Sequence, residues 1–179
     1  MQDDAAPPSG REREKGNRDR HLRQLSAHSR AGRGSPRVSR RLHLYVDGAC
    51  RGNPGPASVG VFVQTEDGVP VKEYHRTLGI TTNNVAEYAA MEDALKLAEQ
   101  LGGTDLKIHA DSQLMVRQLN GDYKVKNERL REFATRILEF KRRFNSVEIV
   151  HVRREFNTRA DRLANTALDL LKKKTAEAV

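Results

Sequence analysis

Residues 42–56 read LHLYVDGACRGNPGP, and the fold is decided by how they alternate. Leu42, Leu44 and Val46 fall on one side of an extended chain, and His43, Tyr45 and Asp47 on the other. This period of two is the mark of a strand with one apolar face. Gly52-Asn53-Pro54-Gly55-Pro56 cannot extend it, since proline lacks a ladder donor and glycine favours turns, so the strand ends there. Val59-Gly60-Val61-Phe62-Val63 gives a second strand, and Glu66-Asp67-Gly68 turns the chain into a third over about Val71–Leu78. Three strands joined by short turns form an antiparallel meander, with Asp47 near the end of its first member.

Beyond the meander the period lengthens to that of helices. Ala90, Ala94, Leu97 and Leu101 share a stripe in a helix expected over Val85–Leu101, which Gly102-Gly103 stops. Leu106–Ala110 is a short strand, and Ser112–Leu119 a short helix closed by Asn120-Gly121. A longer helix over Glu128–Phe144 aligns Leu130, Phe133, Ile137, Phe140 and Phe144. Val147–Arg153 is the last strand, and Ala160–Lys173 the last helix, with Leu163, Ala167 and Leu170 inward. Strands separated by helices pair in parallel, so the pattern is α/β: a five-stranded mixed sheet flanked by helices.

Residues 1–40 differ in kind. They carry 10 Lys and Arg against 5 Asp and Glu, whereas residues 41–179 carry 22 against 19, so the basic charge is concentrated at the N-terminus. With no aromatic residue and almost no apolar periodicity, this segment is expected to be a disordered basic tail facing a polyanion. The remaining 41–174 are enough for one core without disulfides or a structural metal, with 175–179 a flexible end. Cys50 is the single cysteine, which excludes an internal disulfide and suits a reducing compartment. No apolar run is long enough to span a bilayer and none has signal-peptide form, so a cytoplasmic protein without membrane contact is expected.

Four acids stand at element ends: Asp47 in LYVDGACRGNPGPA, Glu87 in TTNNVAEYAAM, Asp111 in IHADSQLMVRQL and Asp161 in NTRADRLAN. Each has an ordinary alternative. Glu87 could close a capping box with Asn84, Asp161 one with Thr158, Asp111 could cap its helix, and Asp47 could be a turn residue. Together they read differently. Asp47 and Asp111 end strands with central character, where open α/β sheets place ligands. Glu87 and Asp161 lie beside buried stripes, where an uncompensated charge is costly. A hard divalent cation, which takes oxygen ligands, would compensate all four.

These segments occur in an order that resembles type 1 ribonuclease H, over about residues 41–171. The resemblance implies a ribonuclease H-like fold and a site in which Asp47, Glu87, Asp111 and Asp161 hold two Mg2+ ions, with Mn2+ as a substitute. Asp47 would bridge the ions, Asp111 and Glu87 would complete the nucleophile side, and Asp161 the leaving-group side. The implied activity is endonucleolytic hydrolysis of the RNA strand of RNA–DNA hybrids by a monomer, leaving 5′-phosphate and 3′-hydroxyl ends. Cys50, Arg51, Gly52, Asn53, Asn83, Asn84 and Gln113 match positions that contact the hybrid. Thr82 and Asn53 match a pocket for a phosphate of the DNA strand.

Two departures from the family pattern stand out. Only Gly121–Asn127 separates the middle helices, so the basic protrusion is missing; Tyr123, Lys124 and Lys126 are what remains of it, and the Arg-rich tail is a candidate substitute. The loop bearing Gly-His before the last aspartate is also missing. His151 is expected to be structural, on the side of Val147 and Ile149, which leaves Glu155 as an alternative proton-handling group. The rival functions are cleavage of double-stranded RNA and a non-catalytic nucleic-acid-binding module. A pure binder has no use for four mutually repelling carboxylates.

Overall fold

The computed structural model describes residues 39–177. Strands β1 (Arg41–Cys50), β2 (Gly55–Thr65) and β3 (Pro70–Thr81) are followed by helix α1 (Asn83–Gln100), strand β4 (Asp105–Ala110) and helices α2 (Gln113–Leu119) and α3 (Glu128–Lys141). Strand β5 (Ser146–His151), a 3-10 turn (Arg154–Phe156) and helix α4 (Thr158–Glu177) complete the chain. The sheet has five strands in the order β3-β2-β1-β4-β5. β1–β2 and β2–β3 are antiparallel, while β1–β4 and β4–β5 are parallel. The mixed sheet expected from the sequence is therefore present, with β1 at its centre.

Central placement explains the alternation in β1. Leu42, Leu44 and Val46 are fully buried in one cluster with Val59, Val61 and Val63 of β2, Ile108 of β4 and Ala90, Ala94 and Leu95 of α1. Burying such side chains contributes about 1.5–3 kcal/mol each, which favours this register over a one-residue slip that would expose all three. Helix α1 lies over this face; Tyr88 donates through its hydroxyl to Gln118 Oε1 at 2.7 Å and so holds α2 beside it. The near-buried Asp93 accepts from Arg76 Nε and Nη2 at 2.7 and 3.1 Å, tying α1 to β3.

Element ends differ from expectation where local chemistry decides them. The cap of α1 is Thr82, whose hydroxyl accepts from Val85 N–H at 3.4 Å, and not Asn84, which lies inside the first turn. Ser112 and not Asp111 occupies the cap position of α2. Helix α4 begins at Thr158, with Asp161 N–H bonded to the Asn157 carbonyl, so no Thr158–Asp161 capping box forms. The same helix runs on to Glu177, so 175–177, expected to be flexible, are helical. Its buried stripe turns through Ala160, Leu163, Ala164, Ala167 and Leu168, which leaves Leu170 45% exposed rather than inward.

At the N-terminal edge, Arg40 N–H donates to Thr104 Oγ1 at 2.8 Å and Ser39 Oγ to Asp105 at 2.9 Å. These two residues, expected to belong to the tail, are thus attached to the sheet. The expectation of disorder for the rest of the tail lies outside the described residues.

Candidate metal centre and active site

Strand register gathers the acids. The parallel pairing of β1 with β4 sets Val46 against Ala110, so Asp47 and Asp111 follow side by side at the same end of the sheet. The antiparallel pairing of β1 with β2 sets Asp47 against Gly60. Two glycines then let backbone approach Asp47 from both sides. A Cβ on Gly48 would come within 2.3 Å of the Ala86 carbonyl carbon and the Glu87 nitrogen, so the first turn of α1 rests on the bare Gly48 backbone and delivers Glu87. A Cβ on Gly60 would lie 2.2 Å from the Ala160 oxygen and 2.6 Å from the Ala164 nitrogen. Helix α4 therefore sits directly on β2 at the level of Asp47, and Asp161 arrives with it.

Asn157 fixes that arrival. It is 1% exposed, donates from Nδ2 to the Val46 carbonyl at 2.9 Å, and accepts the Asp161 N–H through its backbone carbonyl at 3.1 Å. One side chain thus ties the start of α4 to the residue before Asp47. Neither the glycines nor Asn157 had been singled out from sequence, although Gly48, Gly60 and Asn157 all lie in the quoted segments.

Asp47, Glu87 and Asp111 each place a carboxylate oxygen within 4.8 Å of the others. Asp161 does not belong to this trio. Its carboxylate is only part-buried and accepts from Arg154 Nη2 at 2.8 Å. The four acids thus form a close trio and a neighbour held by a cation. Burial, then the charges of Asp111 and Asp161, push the Asp47 carboxyl up to about 7, with Arg154 opposing. Burial and the charges of Asp47 and Asp111 raise Glu87 well above the usual carboxylate range, against a hydrogen bond from the Gly48 backbone and the charge of Arg154. Glu87 Oε2 is buried with no hydrogen-bond partner. Crowded carboxylates, a raised proton affinity and an orphaned oxygen are together what a site for a hard cation looks like without its charge. The donor set fits Mg2+ or Mn2+, both of which favour oxygen. Arg154, unassigned in the sequence reading, is the cation already beside the group; the three neighbouring acids hold its guanidinium further above its ordinary value.

The residues matched to hybrid contacts sit on the adjoining rim. Asn53 Oδ1 accepts from Asn83 N–H at 3.1 Å, which joins the β1–β2 turn to the entry of α1 and brings Asn53, Thr82 and Asn83 together. Arg51 is exposed and paired with Asp169 of α4 at 2.5 Å, so its side chain points toward that helix. Cys50 Sγ is 3.2 Å from the Thr81 carbonyl, and Gly52 has a φ of 93°, a turn conformation that favours glycine. Asn84 borders a groove of about 530 Å3 with Leu114, Gln118, Tyr123, Lys124 and Lys126, and Gln113 opens α2 in an exposed position. His151 pairs with Ala110 in register but is exposed, so it is not the packed structural histidine expected. Its strand ends at that residue. Glu155 is exposed and 3.7 Å from Arg153.

The five-stranded mixed sheet and the acidic cluster at its end are those of the ribonuclease H-like fold class. The profile of a family described as Reverse transcriptase-like matches residues 45–167, and the chain belongs to that family. It is 46% identical to the ribonuclease HI of Halobacterium salinarum over 72% of its own length and 65% of that protein. A crystal structure of the ribonuclease H1 from that organism superposes with a TM-score of 0.71, covering 72% of this chain and 98% of the other. The N-terminal ribonuclease H domain of Rv2228c from Mycobacterium tuberculosis is 37% identical with a TM-score of 0.73, covering 76% and 99%. LC11-RNase H1, solved with an RNA/DNA hybrid, is 41% identical with a TM-score of 0.70, covering 73% and 98%. The chain spans about two thirds of the Halobacterium protein and 36% of the full bifunctional mycobacterial one.

Proposed function

We propose that this protein is a divalent-metal-dependent endonuclease that hydrolyses the RNA strand of RNA–DNA hybrids, leaving 5′-phosphate and 3′-hydroxyl ends. The observation that carries the reading is the approach of Asp47, Glu87 and Asp111 to within 4.8 Å, with Glu87 Oε2 buried and unpartnered. Likeness to LC11-RNase H1, whose structure contains an RNA/DNA hybrid, supports the choice of substrate. Asp47, Glu87, Asp111 and Asp161 would hold two Mg2+ ions, or Mn2+ in their place, with Asp47 shared between them. Such ions, when bound, polarise a phosphodiester and lower the pKa of water.

The chain's own residues supply the rest. Asn157 ties the start of α4 to β1, the Gly60 contact seats that helix on β2, and Arg154 orients the Asp161 carboxylate. Cys50, Arg51, Gly52, Asn53, Asn83, Asn84 and Gln113 would grip the hybrid, Thr82 and Asn53 a phosphate of its DNA strand. Tyr123, Lys124 and Lys126 would line the groove where the protrusion is missing. A-type duplexes are read through backbone and the 2′-hydroxyl, which suits short polar segments. The reading includes a monomeric enzyme in the cytoplasm, supported by a single free cysteine; among the described residues no helix is long and apolar enough to cross a membrane.

The test incubates labelled RNA–DNA hybrid, double-stranded RNA and double-stranded DNA with Mg2+, Mn2+ or EDTA. The reading expects metal-dependent cuts in the RNA of the hybrid, abolished by Asp111→Asn. Hybrid left intact by the wild type in both metals would sink it, and a preference for double-stranded RNA would replace the substrate.

A further inference from the structure

The face of β1 that carries Asp47 carries Tyr45 two residues earlier, about 7 Å down the strand. Beside Tyr45 lies a cavity of about 220 Å3, lined by Tyr45, Phe62, Gln64, Phe156, Thr158 and Arg159. Its walls are rings and a guanidinium. Tyr45 is stacked on His109 with centroids 4.4 Å apart and planes within 10°, so the tyrosine plane is fixed. Phe62 is 3% exposed and covered by the Arg159 guanidinium at 3.8 Å from the ring centroid. Phe156, in the 3-10 turn, is 66% exposed. Leaving that ring in water contributes nothing to folding. Two of its lining residues, Thr158 and Arg159, begin the turn of α4 that carries Asp161.

Arginines outnumber acids in the segment that borders it. Over 153–162 the chain reads RREFNTRADR, with four arginines against Glu155 and Asp161. Arg159 is also paired with Glu73 at 3.1 Å and serves as a wall, while Arg154 is paired with Asp161 at 2.8 Å and Arg153 with Glu155 at 3.7 Å, both largely exposed to an incoming ligand. A flat ring attached to a polyanion matches both features, and an aromatic lining with a basic rim is how single strands are held. In a paired duplex the bases are stacked inside and closed to the protein; a base outside the duplex can enter.

We propose that this cavity receives an unpaired nucleobase of the RNA strand where it leaves the hybrid, stacked against Phe156 and Tyr45. The inference rests on the nuclease reading above, and it names a substrate class: hybrids whose RNA continues single-stranded past the duplex end.

The test measures fluorescence anisotropy of the full chain in metal-free buffer with three labelled probes. They are a short fully paired hybrid, the same hybrid with an unpaired RNA extension at its 5′ end, and one with the extension at its 3′ end. The wild type should prefer one of the extended forms. Phe156→Ala should reduce that preference by roughly 5- to 100-fold, the range of a lost base–aromatic stack, and Phe156→Trp should restore it. The exposed position keeps truncation from unfolding the chain, and an unchanged urea midpoint verifies that. Equal binding of all three probes by the wild type, or equal weakening of all three by Phe156→Ala, would overturn the proposal. Cleavage of the fully paired hybrid in Mg2+ is measured in parallel. Its absence would refute the nuclease reading, while the binding preference still decides the cavity's role.

Discussion

Replacing Asp47 by Asn should make the metal-free protein more stable, although it should destroy the metal site. Asp47 is 6% exposed and lies among the other acids, and its carboxyl is raised from 3.8 to about 7. A group raised in the folded state contributes its stability below the unfolded value and loses it as pH rises to the folded one. Keeping Asp47 ionised in the fold therefore costs about 4 kcal/mol above pH 7, taking 1.36 kcal/mol for each pH unit between 3.8 and about 7. Local relaxation around Arg154 will recover part of this, so about 2–4 kcal/mol is expected for Asp47→Asn at pH 8. Urea unfolding in EDTA measures it. The gap between variant and wild type should be small near pH 4, widen toward pH 7 and stay level above. Adding Mg2+ should close or reverse it, since a cation that binds only the folded wild type stabilises that protein alone. A variant no more stable than wild type at pH 8, or a gap independent of pH, would refute the crowding argument.

Other substitutions probe the framework. Asn157→Ala should cost about 1–3 kcal/mol by removing a buried hydrogen bond, and should lower kcat more than it raises KM, because Asp161 loses its tie to β1. Gly48→Ala should be more damaging, with a Cβ 2.3 Å from the backbone of α1; loss of soluble protein or a large drop in urea midpoint is expected, along with loss of Mn2+ binding. His109 is lowered from 6.5 to about 4 by burial, then by the charges of His43 and Lys107. It therefore withdraws stability as pH falls from about 6.5 to about 4, and His109→Phe, which keeps the stack on Tyr45, should flatten the urea midpoint across that window. Mg2+ affinity should rise with pH to above 7 with proton release, which calorimetry in two buffers of different ionisation enthalpy would detect.

The elements were legible because their periods are long and clean: Leu42-Leu44-Val46 for β1, and Leu130, Phe133 and Ile137 for α3. Of the latter, Leu130 and Ile137 are buried and Phe133 is packed against the core, while Ala134 joins the buried face unannounced. The acids were legible as a set because their four segments occur in one family's order; the structure adds that Asp47 lies within β1, three residues before its end, level with Asp111 just after the neighbouring parallel β4. How closely each would approach was not. That depends on glycines at 48 and 60, and in a strand a glycine reads as weakness until the backbone above it is known. Asn157 looked like part of a motif, and its bond to the Val46 carbonyl crosses 111 residues of sequence. Arg154 could not be read because its meaning is a distance to Asp161. Caps failed for a related reason: Thr82, Asn83 and Asn84 are all competent, and Asn83 N–H was already taken by Asn53.

The most direct measurement is anomalous diffraction from crystals grown with Mn2+ and an RNA–DNA hybrid. The account predicts two manganese peaks, one among Asp47, Glu87 and Asp111 and the second between Asp47 and Asp161. Hybrid bound with no anomalous density at these four carboxylates would contradict it.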